Sequence, residues 1–66
     1  MPKFAVGDNV ERIGVLVPAS LRDGIITRVI TNIVGGDVFY EYEVDFGNQI
    51  IGIFYEAQLR LVKHAN

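Results

Sequence analysis

The chain has 66 residues, half of them hydrophobic, with six Lys and Arg against eight Asp and Glu, a formal net charge of −2, one histidine and no cysteine. So short a chain makes one domain, residues 1–66, and buries only about 60 % of the surface that its unfolded form exposes, so its core is thin. Disulfides and thiolate metal sites are excluded, no apolar run approaches the ~20 residues of a membrane span, and the acidic pI of about 5.1 weighs against non-specific nucleic-acid binding, which rests on clustered Lys and Arg.

Small domains without disulfides or metals lean on tight packing or on a partner. A positive mean hydropathy, +0.29, tilts the expectation towards association. The N-terminus lacks an apolar segment behind a basic start, so no signal peptide is expected. The absence of cysteine fits a reducing cytoplasm, and a cytoplasmic protein is the expectation.

Phe4 to Ile13 opens with a turn at Gly7-Asp8, then Val10 alternates with Asn9 and Glu11, the period of a half-buried strand. Gly14 to Leu21 reads as a long, apolar first loop, because Pro18 lacks an amide hydrogen and interrupts a central strand or helix. Asp23-Gly24 closes that loop. Ile25 to Ile33 is β-branched at most positions, hence a strand. Its imperfect alternation predicts a bulge at which the strand swaps faces.

Gly35-Gly36-Asp37 is turn chemistry. From Val38 to Phe46 the alternation is clean: Tyr40, Tyr42, Val44 and Phe46 share one face, Glu41, Glu43 and Asp45 the other. Gly47-Asn48 predicts a two-residue hairpin turn, followed by a fourth strand over about Gln49 to Tyr55. Glu56-Ala57-Gln58 fits one 3-10 turn, and Leu59 to Lys63 a short last strand. The predicted core is Val10, Ile26, Val29, Val44, Phe46, Phe54 and Leu59.

The fourth strand carries six nearly apolar residues in succession, Ile50 to Tyr55. With Leu59 in the core, Phe54, Gly52 and Ile50 face inward and Ile51, Ile53 and Tyr55 outward. Either phase leaves large apolar side chains on the outer face, and a row of them, unlike a single one, calls for a cover. That cover is either the Val15, Leu16 and Val17 loop or another chain. The candidate interface is therefore Val15, Leu16, Val17, Phe39, Ile51, Ile53 and Tyr55, with a homo-oligomer or a protein partner as the occupant.

The segments Phe4-x-Val6-Gly7-Asp8-x-Val10, Gly24-x-Ile26-x-x-Val29, Tyr42-x-Val44-x-Phe46 and Glu56-x-Gln58-Leu59 resemble those of bacterial SH3-like barrels. That group includes KOW and Tudor-like modules and the small barrels that accompany some helicases. The resemblance covers nearly the whole chain and implies an all-β fold: a five-stranded antiparallel SH3-like barrel with a long first loop and a 3-10 turn before the last strand. It specifies fold better than function, because this barrel hosts unrelated activities. A nucleic-acid-associated module, in transcription, translation or helicase support, is what the KOW and Tudor-like likeness implies as the alternative to protein binding.

Constellations for catalysis are sparse. Glu41, Glu43 and Asp45 form an acidic row, but successive members stand about 7 Å apart by strand rise, too open for a compact cation cage. A solvated face paired in part with Arg28 across the sheet is the expectation. Exposed aromatics can hold cations or stack bases, and Phe39 and Tyr55 are the outward pair. Ser20 has no acid or histidine in a nucleophile arrangement, and Gly35-Gly36 lies between strands rather than before a helix. No enzyme, no cofactor and no metal site is expected.

The chain is also distantly similar to the type II dihydrofolate reductase barrels, at Phe4, at Gly7-Asp8-x-Val10 and at the Ile53-Phe54-Tyr55 run. That family acts as a tetramer round a pore, with a Gln-Ile-Tyr segment and a lysine. Here Gly52-Ile53-Phe54-Tyr55 lacks the glutamine, Arg12 stands near the lysine's position, and the step from Tyr55 to Leu59 is one residue shorter. Those departures remove the parts that would hold folate and nicotinamide, so an interaction module remains the expectation.

Overall fold

A computed structural model describes residues 1–14 and 16–62. The strands are β1 (Asn9–Arg12), β2 (Asp23–Val34), β3 (Asp37–Asp45), β4 (Ile51–Tyr55) and β5 (Leu59–Leu61), with 3-10 turns at Ala19–Leu21 and Glu56–Gln58. They form one sheet in the order β4-β3-β2-β1-β5, and every neighbouring pair is antiparallel. β4 and β5 are its two edges, and among the described residues no ladder closes the sheet between them. Among the described residues there is no α-helix, and no helix is long and apolar enough to cross a membrane.

The bulge expected in β2 falls between Ile26 and Arg28. It explains how Ile26 and Val29, an odd number of residues apart, both turn inward, opposite Val44 and Tyr42. The extra residue, Thr27, turns its hydroxyl to the Glu43 carboxylate at 2.8 Å. A bulge also sharpens local twist, and the sheet curls strongly. Arg12 of β1 lies 4.8 Å from the centre of the Phe54 ring of β4, although three strand spacings, about 14 Å in a flat sheet, separate those strands.

The core consists of Phe4, Val10, Ile26, Tyr42, Val44 and Leu59, with Val29, Tyr40, Phe46 and Phe54 packed against it. The sequence expectation holds for Val10, Ile26, Val44 and Leu59. Val29, Phe46 and Phe54 lie at the margin instead, and Phe4 and Tyr42 join the centre. Phe4 belongs to no strand. The Tyr42 hydroxyl holds it, accepting from the backbone N–H of Lys3 at 3.0 Å and of Phe4 at 3.4 Å and donating to Glu56 Oε2. Glu56 Oε2 also accepts the Lys3 N–H, at 3.0 Å, and the Phe4 ring meets Tyr42 edge-on with centroids 5.1 Å apart.

Two turn readings are corrected. Asp23-Gly24 lies within β2, paired with Glu11 and Val10, because β1 needs a partner as far back as Glu11. Gly24 is also where three strands crowd: a Cβ there would stand 2.5 Å from Val44 Cγ1 and 2.8 Å from the Asp45 carbonyl oxygen. Gly47-Asn48 is not a two-residue hairpin. The connection runs from residue 46 to residue 50, with positive φ at Gly47, Asn48 and Gln49. The Asp45 carboxylate accepts the Gly47 N–H at 2.8 Å and Phe46 N–H donates to Ile50 O at 2.9 Å, so β4 starts at Ile51 rather than Gln49.

Candidate interaction surface

From Ile51 to Tyr55, β4 takes the phase expected of it; Ile50, expected to face inward, instead lies in the turn before the strand and is 42 % exposed. Ile51, Ile53 and Tyr55 are 58 %, 50 % and 54 % exposed, while Gly52 and Phe54 are half-buried. Phe54 lies edge-on to Phe46 with centroids 5.7 Å apart and closes over Gly52, where a Cβ would stand 2.8 Å from its ring. The outward row therefore comes from strand alternation, and Gly52 is small because Phe54 occupies the inner side.

β4 is also an open edge. Among the described residues it pairs with β3 alone. Phe46 N–H donates to Ile50 O across the ladder, so by antiparallel alternation Gly52 and Phe54 direct their backbone groups to β3. Ile51, Ile53 and Tyr55 direct theirs away from it. The Tyr55 N–H accordingly finds a side chain, donating to Gln58 Oε1 at 2.9 Å. Ile51 and Ile53 thus present backbone donors and acceptors at the same edge where their side chains are exposed. An edge with no charge, proline or bulge lacks the usual protections against strand pairing.

Beside this row runs the acidic one. Tyr55, Ile53 and Ile51 stand directly opposite Glu41, Glu43 and Asp45. Arg28 lies 3.4 Å from Glu43, the cross-strand pairing expected from sequence, and Asn32 Nδ2 donates to Glu41 Oε1 at 2.8 Å. Among the described residues, three carboxylates against one guanidinium leave this face net negative. At its end Phe39, 38 % exposed, meets Tyr55 with ring centroids 6.2 Å apart. Phe39, Ile51, Ile53 and Tyr55 are thus brought onto one outer surface.

In the first loop, Leu16 is 93 % exposed and covers nothing, and Val17 is half-buried beside Gly14 and accepts from Arg22 Nη2 at 3.1 Å. The Ala19–Leu21 turn packs against β2. Val15 lies outside the described residues. The alternative in which this loop covers the apolar row therefore fails for Leu16, because the Arg22 bond ties the loop back to its own base.

A second apolar region was missed in the sequence. β2 and β3 run on together past the ends of their neighbours, and Ile33, Val34 and Val38 at the tip are exposed. The available signal was the length of the two strands beside their short partners.

The basic side chains are dispersed. Arg28 meets Glu43 and Arg60 meets Glu11. Arg12 rests on Phe54, Lys3 lies over Phe4, and Lys63 and His64 lie outside the described residues. An open cleft of about 380 Å³ lies between the β1–β2 and β3 ends, lined by Asn9, Asp23, Gly24, Ile25, Asp45 and Phe46 among others. Its two carboxylates do not make a metal cage: among the described residues no group of three His, Cys, Asp or Glu could hold an ion. Ser20 sits in the exposed Ala19–Leu21 turn.

The chain matches no protein-family model, no curated protein and no solved structure.

Proposed function

We propose that this chain is a non-enzymatic interaction module, built as an open SH3-like barrel, that associates with itself or with a protein partner through the outer face of β4. The barrel reading is supported by the strand order β4-β3-β2-β1-β5, the β2 bulge and the 3-10 turn linking the two edge strands. One observation carries the function: Ile51, Ile53 and Tyr55 are each half exposed in a row on an unpaired edge. Fully burying one such side chain contributes roughly 1.5–3 kcal/mol, so covering the exposed halves of three adds an increment comparable with the ~5 kcal/mol stability of a small domain.

Protein is favoured over nucleic acid, the alternative, because the described residues make no basic face. Arg28 and Arg60 are tied to carboxylates, and the surface beside the apolar row is acidic.

Light scattering on the wild type and on Ile51→Glu and Ile53→Glu tests the reading. All three should be folded. A wild-type mass of several chains that falls to one in both variants assigns the surface to self-association. A wild-type mass of one chain, 7.4 kDa, assigns it to a different protein. Variants that unfold as monomers would refute the reading, since the row would then be covered within its own chain.

A further inference from the structure

We infer that the free edge of β4 takes an extended segment of a different protein, one carrying Lys or Arg at alternate positions, as an added strand. This rests on the reading of the β4 face as the contact surface and names what it contacts.

The free backbone groups of Ile51 and Ile53 specify a strand as the occupant, because only a strand matches their spacing and direction. The side chains specify its charge. On an added strand, every second side chain lies on the outer face, next to Ile51, Ile53 and Tyr55. One strand further on stand Asp45, Glu43 and Glu41, each opposite one of those three. A long basic side chain satisfies both rows at once. Its aliphatic stem covers an isoleucine and its charged head reaches the carboxylates. At the far end a cation meets Tyr55 and Phe39, whose rings are already in contact, and a cation over an aromatic face beside a carboxylate is doubly favoured. A plain apolar strand would cover the isoleucines but leave uncompensated the net negative charge of a row whose three carboxylates face one guanidinium.

A second copy of this chain does not fit that description. Its basic residues are Lys3, Arg12, Arg22, Arg28, Arg60 and Lys63, and no two of them stand two positions apart. Pairing β4 with β4 of another copy would extend the apolar stripe and leave it open on its outer face.

The probe is a short capped peptide alternating lysine with threonine, titrated into the full chain labelled for amide NMR. The control has the same residues in two blocks, with equal charge. The alternating peptide should shift the Ile51 and Ile53 amides and bind at least about tenfold tighter than the block peptide. Its affinity should fall by about tenfold or more between roughly 50 and 500 mM salt. Glu41→Gln with Glu43→Gln, nearly isosteric and folded, should weaken it by about tenfold. Ile53→Pro should abolish it with the fold intact, because that N–H faces the edge and not β3.

Equal affinity for the block peptide, shifts centred away from β4, or no binding up to about 1 mM would overturn the inference. So would a wild-type dimer whose Ile51 and Ile53 amides are protected from exchange. That last result would uphold the association reading while giving the edge to a second copy. Unfolding of Ile53→Glu would instead strike the association reading itself.

Discussion

The guanidinium of Arg12 lies 4.8 Å from the centre of the Phe54 ring, joining β1 to β4 across the inside of the curl with β2 and β3 between them. Phe54 in turn covers Gly52 and meets Phe46, so this contact steadies the inner side of the strand whose outer side is the proposed interface. Arg12→Gln should lower stability by about 0.5–1 kcal/mol, the range for a partly exposed cation–π pair. Urea unfolding checks this, and an Arg12→Lys variant should recover part of the loss.

The Tyr42 hydroxyl ties the N-terminal segment to the turn before β5. Tyr42→Phe strands the Phe4 N–H, leaves the Lys3 N–H with Glu56 alone and removes the hydroxyl's bond to that carboxylate, so it should cost about 1–3 kcal/mol and loosen Phe4. The same bonds set two pH limits. Glu56 titrates below the usual glutamate value, first because Tyr42 donates to it and then because the Lys3 N–H does. Its contribution is present above the ordinary value, about 4.3, and is lost as pH falls through the lower folded value. Tyr42 titrates above the usual tyrosine value, first through burial and then through its bond to Glu56. Its contribution is present below about pH 10 and is lost as pH rises through the higher folded value. Chemical denaturation across pH should show Glu56→Gln weakening the acid dependence and Tyr42→Phe the alkaline one.

Period-2 patterning made β3 and the phase of β4 legible, because each has one dry face and one wet face. The bulge in β2 was legible as imperfect alternation over Ile25 to Ile33, whereas its place between Ile26 and Arg28 was not. The Phe4 position was not, since it depends on a hydroxyl 38 residues away in sequence, which no local pattern records. The connection after β3 was misread because Gly-Asn suits a two-residue turn, while the Asp45 bond to Gly47 N–H and the positive φ of Gln49 lengthen it. Of the candidate surface, Ile51, Ile53, Tyr55 and Phe39 followed from alternation, whereas the place of Leu16 depends on how Arg22 anchors the loop.

Gly24→Ala should destabilise the fold by roughly 1–3 kcal/mol, the cost of overpacking a filled site, because its Cβ would collide with Val44 and with the backbone of Asp45. The thermal midpoint measures this. Gly36→Ala, with no atom near its Cβ site but φ of +88°, should show backbone strain alone.

Generic duplex DNA should bind no tighter than ~10⁻⁵ M at physiological salt, given an acidic chain whose arginines are dispersed and partly paired. Fluorescence anisotropy checks this, and micromolar, salt-sensitive binding would favour the nucleic-acid alternative.

The central claim is that the outward side chains of β4 await another protein and are not covered by their own chain. The most direct measurement is the urea midpoint of Ile53→Glu beside that of the wild type, each at a low and a high protein concentration. At the low concentration, where any wild-type assembly has dissociated, the midpoints should agree within about 1 kcal/mol, the cost of a surface substitution with a like charge opposite at Glu43. Any wild-type gain at the high concentration should be absent in the variant. A loss of several kcal/mol in Ile53→Glu that is the same at both concentrations would contradict it, because an unpaired charge would then have been forced into the monomer's own interior.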